Sequence, residues 1–264
     1  MEDKKEKTFR ERLKEIRKVN YLDQSNTNFT VLVSGLPGSG KTSFIATGRR
    51  PILVDMFDPR GSIILEKGIK EGWIVVRKFW NELSSRPTEY QRWYRMWEDD
   101  IKTGFLNNFG TYAIDSLTTL IHALSNEIGR RKGREPGTLA VQDYQPLYAT
   151  IRDIIKLTST QNVDFILTAH LVNSEDDVTG EIVTELDTYK KLRSQIPLLF
   201  TEKYVLMVKP TPSGAERVLL TDYYKRFRAS TQLGAKGKFA REEVPNLKRL
   251  LEKAGYLTKD KPYF

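Results

Sequence analysis
Residues Gly35-Leu-Pro-Gly-Ser-Gly-Lys-Thr42 satisfy the spacing G-x-x-x-x-G-K-[ST] in full, a pattern whose chemistry is the cradling of a polyphosphate. The glycines of such a loop let backbone N–H groups turn inward around phosphate oxygens, and the following helix adds the positive end of its dipole. Lys41 is then expected to reach the β and γ phosphates as a point charge, and the Thr42 hydroxyl to ligate Mg2+. The expected nucleotide-binding set is Gly35, Pro37, Gly38, Ser39, Gly40, Lys41, Thr42 and Ser43, with ATP and Mg2+ as cofactors. An accidental glycine-rich turn has a similar composition. It rarely falls, however, between a β-rich run such as Phe29 to Ser34 and a helical one such as Ser43 to Thr47.

The run Thr111-Tyr-Ala-Ile-Asp115 is an apolar strand ending in a carboxylate, so Asp115 is expected to hold the magnesium through water, alongside Thr42. A strand-end aspartate also serves as a helix N-cap, a role equally open to Ser116. Hydrolysis needs a further carboxylate to orient the attacking water. Asp58, in Leu53-Val-Asp-Met-Phe-Asp-Pro-Arg60, is the expected base and Asp55 its substitute. Both aspartates also suit turn formation, because Asp-Pro is turn chemistry.

The pattern around these residues alternates strand and helix. Short β-rich runs occur at Phe29 to Ser34, Ile52 to Asp55, Trp73 to Val76, Thr111 to Asp115 and Val163 to Thr168. Glu89 to Phe105, Ser116 to Glu127 and Gln142 to Gln161 are long enough to be crossover helices, which predicts a mainly parallel α/β sheet covered on both faces. Tyr90, Trp93, Tyr94 and Trp97 share one helix face; core packing is the favoured role there over a base-stacking platform. Later, Lys203 to Lys209 and Arg217 to Tyr223 flank Pro210-Thr-Pro-Ser-Gly214 and predict an antiparallel hairpin. The organisation expected is an amphipathic helix and linker over 1–28 (Phe9, Leu13, Ile16 and Val19 at helical spacing), an ATPase core over 29–234, and a helical tail over 235–264 with Leu247, Leu250 and Leu251 on one face.

Composition limits the classes. With 264 residues and 39% apolar content, one substantial core is the default. No apolar run approaches 18 residues and Met1 to Asn20 mixes Lys, Arg and Glu, so a soluble, cytoplasmic protein without a membrane partner is expected. The absence of cysteine and the presence of only two histidines exclude disulfides, thiolate catalysis and cysteine-based metal sites. Of the net charge of +9, residues 190–264 hold 17 Lys+Arg against 7 Asp+Glu, whereas residues 1–189 hold 26 against 27. Such a concentrated excess suits a polyanion, and equally suits a solvated basic surface.

Taken together, the P-loop, Ala113-Ile-Asp-Ser116, the helix Gln142 to Gln161 and Ile166-Leu-Thr-Ala-His170 resemble the RecA-like ATPases, most closely the small phage-encoded recombination and single-strand-annealing ATPases, over roughly residues 29–232. The resemblance implies that His170 senses the γ-phosphate, where bacterial RecA has glutamine. It also implies a catalytic carboxylate just after the second strand, for which Asp58 is displaced by one residue when the strands are aligned on Asp55. Two nucleic-acid segments follow, Gly129 to Thr138 with Arg130, Arg131, Lys132 and Arg134, and Leu171 to Gln195 with Lys190, Lys191 and Arg193. The second begins with Glu175, Asp176, Asp177, Glu181, Glu185 and Asp187, charges unfavourable beside DNA. By the same resemblance Lys225 and Arg228, in Tyr223-Tyr-Lys-Arg-Phe-Arg228, reach the γ-phosphate of an adjacent subunit.

These features imply a self-assembling ring or filament that hydrolyses ATP on single-stranded DNA in recombination or annealing, and the phage resemblance implies action in a host cytoplasm. A hexameric helicase or packaging motor uses the same parts. A nucleotide-gated adaptor or loader is favoured by the acidic second segment, and a small-molecule kinase is disfavoured by the terminal hairpin.

Overall fold
The computed structural model describes residues 11, 28–59, 61–135, 137–175, 180, 182–212 and 214–262. The expected N-terminal amphipathic helix, with Phe9, Leu13, Ile16 and Val19, lies outside the described residues, as do Asp176, Asp177 and Glu181. No helix among the described residues is long and apolar enough to cross a membrane.

Six strands run parallel in the order β3 (Ile74–Lys78), β2 (Ile52–Met56), β4 (Thr111–Asp115), β5 (Asp164–Glu175), β1 (Thr30–Gly35) and β7 (Glu202–Thr211). Antiparallel β8 (Gly214–Leu220) and β9 (Glu242–Glu243) extend that edge, and β6 (Ile182–Leu186) folds back on the end of β5. This is the α/β arrangement that the sequence predicts: a mainly parallel sheet flanked by helices with a C-terminal antiparallel hairpin.

The central strands are apolar because both of their faces are covered. Alternation along β1 sends Leu32 to one face and Val31 and Val33 to the other. Leu32 meets the core contributed by α3 (Glu89–Thr103), α4 (Leu117–Arg131) and α5 (Tyr144–Ser159), through residues such as Trp93, Leu120 and Ile151. Val31 and Val33 meet α1 (Lys41–Ile45) and α7 (Leu247–Ala254), through Phe44, Ile45, Leu247, Leu250 and Leu251. The C-terminal helix therefore shares a core with the P-loop helix. Trp93 and Trp97 are buried and stacked on one another, which makes their helix face core and not a platform for bases.

Asp55 anchors this core. Arg77 grips both of its oxygens at 2.6 and 2.7 Å, and Trp93 Nε1–H and Tyr112 O–H donate to Oδ2 at 2.8 and 2.6 Å. A charge this deep persists because it is paired and fully hydrogen-bonded.

Two segments expected to be loops are ordered differently. Helix α4 continues to Arg131, so Arg130 and Arg131 occupy its last turn. β5 runs on to Glu175 and pairs with β6 from Leu171↔Leu186 to Glu175↔Ile182, turning much of the second segment into a hairpin. Thr184 O–H donates to Asn173 and Ser174 O–H to Glu185 across it, polar cross-strand pairing that the sequence did not reveal because the segment is acidic and polar.

Candidate nucleotide-binding site
The carboxyl ends of β1, β2, β4 and β5 converge on one cleft, the place where open parallel sheets bind ligands. Sheet register does much of the positioning. His170 stands opposite Gly35 in the β1–β5 ladder, so the candidate sensor begins beside the loop. Asp58 follows β2 by two residues, and its N–H donates to the Asp115 carbonyl at 3.1 Å, tying the turn to the end of β4.

The loop has the backbone its sequence requires. Gly38 and Gly40 adopt φ of 77° and 102°, a left-handed region that side chains disfavour, and a Cβ on Gly35 would fall 2.8 Å from the Leu206 carbonyl. Ser39 is 2% exposed and turns its hydroxyl inward, where it has no hydrogen-bond partner. Ser39 does not line the cleft that holds Lys41. Pro37 and Ser43 line the same cleft.

Lys41 Nζ donates to the Gly35 and Leu36 carbonyls at 2.8 and 3.2 Å and to His170 Nδ1 at 3.3 Å. With Lys41 donating to Nδ1, the imidazole proton sits on Nε2 and is donated to Asp58 Oδ2 at 2.7 Å. Asp58 Oδ1 accepts from Ser116 at 2.9 Å and Thr119 at 2.7 Å. A continuous chain, Lys41–His170–Asp58, thus links the P-loop lysine to the candidate base. Ser116 caps α4 in a reciprocal box with Thr119, which frees Asp115 from capping.

Thr42 Oγ1–H donates to Asp115 Oδ2 at 2.7 Å, and Thr168 donates to Oδ1. Two hard oxygen ligands side by side at the end of a phosphate cradle fit Mg2+, with Thr42 and Asp115 as the residues that would hold it. Burial pushes the Asp115 carboxyl up against the opposing hydrogen bonds of Thr168 and Thr42. Burial likewise pushes Lys41 down, despite the nearby Asp115 and Asp58. A cation beside Asp115 and a polyphosphate beside Lys41 each favour the charged form of their neighbour. Asp58 behaves oppositely: burial disfavours its charge, but hydrogen bonds from His170, Thr119 and Ser116 together hold it below the usual carboxylate value.

Asp55, the substitute base, is not in this cleft. All of its bonds run to Arg77, Trp93 and Tyr112 in the core.

The candidate nucleic-acid residues are largely engaged within the chain. Arg130 and Arg131 pair with Glu127, and Arg134 with Asp143; Lys132 is exposed. Arg193 bonds Glu185 at 2.8 Å and the Thr188 carbonyl at 3.0 Å. Lys190 is exposed, and Lys191 lies over the Tyr148 ring at 5.7 Å. Tyr189 touches α4 through Ser125 and α5 through Tyr144.

Lys225 lies in a tight turn closed by Tyr224 and Phe227, and Arg228 follows that turn directly. Both are exposed, and neither lines the cleft that holds Lys41 of their own chain. A different cation does: Arg217 of β8. No local motif marks it, because its place depends on how far the β7–β8 hairpin reaches past β1.

A protein-family model described as AAA domain matches residues 27–231. No curated protein matches the chain. Among solved structures, the chain is similar to a KaiC-like protein from the hyperthermophilic archaeon Pyrococcus horikoshii OT3, at 18% identity over 77% of this chain and 82% of that one, with a TM-score of 0.42. It is also similar to the flagellar accessory protein FlaH from Methanocaldococcus jannaschii, at 11% identity over 77% and 82% of the two chains, with a TM-score of 0.40.

Proposed function
The chain belongs to the AAA domain family, and from that premise and the geometry of its P-loop we propose that it is a Mg2+-dependent ATPase acting on single-stranded DNA in recombination or annealing, assembled as a ring or filament. The observation that carries the ATPase reading is the meeting of Thr42 with Asp115 at 2.7 Å beside Lys41. That meeting unites two separate motifs on the ends of β1 and β4.

Backbone N–H groups of Gly38 to Thr42 bind the phosphates, and Lys41 leaves the Gly35 and Leu36 carbonyls to meet the terminal ones. Mg2+, when bound, neutralises developing phosphate charge. Asp58 orients water through the acceptor site on Oδ2 that His170 leaves free. His170 exchanges its contact with Lys41 when phosphate arrives, and because its carbonyl accepts from Asp187 N–H at 2.9 Å, the change reaches the β5–β6 hairpin.

Support for single-stranded DNA comes from the basic excess in residues 190–264. A second reading, a nucleotide-gated adaptor for a protein partner, is favoured by one observation: Arg130, Arg131, Arg134 and Arg193 already have carboxylate partners. ATP turnover measured with and without single-stranded DNA, with Lys41→Ala as control, separates the two. Stimulation by DNA, lost in Lys41→Ala, is expected. Turnover unaffected by DNA supports the adaptor, and normal turnover in Lys41→Ala overturns the ATPase reading itself.

A further inference from the structure
The β1–β7 ladder ends at Gly35↔Leu206, but β7 continues to Thr211 and returns as β8 from Gly214. The last five residues of β7 and their partners therefore stand beyond the end of β1 and form a wall beside the phosphate loop. Alternation along β8 puts Arg217 on the same face as Leu219, which packs in the core shared with α1. The Arg217 side chain consequently reaches the P-loop side of the sheet.

Its contact there is with the loop itself. A Cβ on Gly40 would lie 2.8 Å from Arg217 Cδ and 3.1 Å from Nε, so the arginine stem crosses the loop where a glycine leaves room for it. Arg217 shares the cleft with Lys41, Thr42, Asp58 and His170. It is exposed, and it has no carboxylate partner among the described residues. The nearby Lys209, by contrast, is paired with Glu242. A guanidinium without a carboxylate partner among the described residues, lying against a loop built to hold anions, is complemented by a phosphate chain, which its planar fork meets with two parallel hydrogen bonds.

We propose that Arg217 is a nucleotide-binding residue that holds the polyphosphate of ATP from within the same chain. The proposal rests on the ATP-binding reading above and adds a second cation to the site. Lys225 and Arg228, by contrast, do not line the cleft of their own chain. Arg217 binds in the isolated subunit, so its contribution is independent of assembly.

The test measures MgATP and MgADP affinity by calorimetry for the parent, Arg217→Ala, Arg217→Lys and Lys41→Ala. Arg217→Ala is expected to weaken MgATP roughly 10- to 100-fold, the range for losing hydrogen bonds to a charged group. The melting temperature of the ligand-free protein should not move, because the side chain supports no part of the fold. Arg217→Lys, which keeps the charge and loses the fork, should fall between. MgATP affinity in Arg217→Ala within threefold of the parent overturns the proposal. Mixing Arg217→Ala with Lys41→Ala at subsaturating ATP tests the same-chain assignment: no gain in turnover is expected, and a gain overturns it. Lys41→Ala separates the two levels, since its retention of parental ATP affinity defeats the ATP-binding reading whatever Arg217 does.

Discussion

Asp58→Asn tests the chain of contacts at the centre of the site. An ionised carboxylate offers about four acceptor positions. Ser116 and Thr119 fill two on Oδ1 and His170 fills one on Oδ2, leaving one position facing the cleft for a water. The amide of Asn can keep the Oδ1 contacts, but its NH2 then opposes His170 Nε2–H, donor against donor. If the imidazole shifts its proton to Nδ1, it opposes the Lys41 ammonium instead. In that orientation no protonation state of a neutral His170 satisfies both neighbours, and the flipped amide, with its oxygen toward His170, must turn the Ser116 and Thr119 hydroxyls from donors into acceptors. Losing a bond to a charged acceptor should lower stability by about 1.5–3 kcal/mol, and losing the water-orienting base should lower turnover by roughly 10²–10⁴, or about 3–5 kcal/mol in the barrier. The assay is phosphate release at saturating MgATP, with affinity measured separately and expected to stay within about threefold. The pH profile supplies a second readout. Asp58 is held below its ordinary value, so its stabilising contribution is complete above the usual carboxylate range and is lost as pH falls through the lowered value. The acid limb of the stability profile should therefore flatten in Asp58→Asn. Turnover within threefold of the parent would refute the reasoning and leave Asp58 as an anchor for His170 and α4.

Asp55→Ala should lower stability by about 3–5 kcal/mol in chemical denaturation, because it leaves Arg77 with Asp100 alone and takes the buried acceptor from Trp93 and Tyr112, while turnover per folded molecule at low temperature stays near parental; a selective loss of turnover would return Asp55 to the active site. Neutralising Arg130, Arg131 and Arg134 together should weaken single-stranded DNA binding and flatten its dependence on log salt, and an unchanged salt slope would show that Glu127 and Asp143 keep these arginines from DNA. Arg228→Ala should reduce turnover by up to roughly 10³ with ATP affinity intact, and mixing it with Lys41→Ala should restore part of the activity at mixed interfaces; specific activity that is independent of protein concentration, with an inactive mixture, would remove Arg228 from a neighbour's site.

What the sequence discloses follows the range of the forces involved. The P-loop and its strand are legible because their constraints are local: glycine for positive φ at Gly38 and Gly40, an apolar run before them, and a helix after. Thr111–Asp115 is read to its true boundaries for the same reason, since five buried residues end where the chain must leave the sheet. Asp58 and Asp55 cannot be told apart locally. Their roles diverge because Asp55 lies within β2 opposite Arg77 in the β2–β3 ladder, whereas Asp58 lies past its end. Strand pairing, and not the Asp-Pro turn, decides which carboxylate reaches the cleft. The reach of α4 is also non-local in origin: Glu127, 1% exposed, collects Arg130 and Arg131 from three and four residues on, extending the helix through a stretch whose charge alone suggests a loop. Arg217 carries this argument furthest. Its type and neighbours are unremarkable for an exposed hairpin strand, and its role arises from two registers in series, Gly35 against Leu206 and Val208 against Arg217. A one-residue slip in either ladder would turn the guanidinium to the opposite face. The nucleotide site is thus specified twice, by a motif that makes the cradle and by a sheet edge that brings a second cation to it.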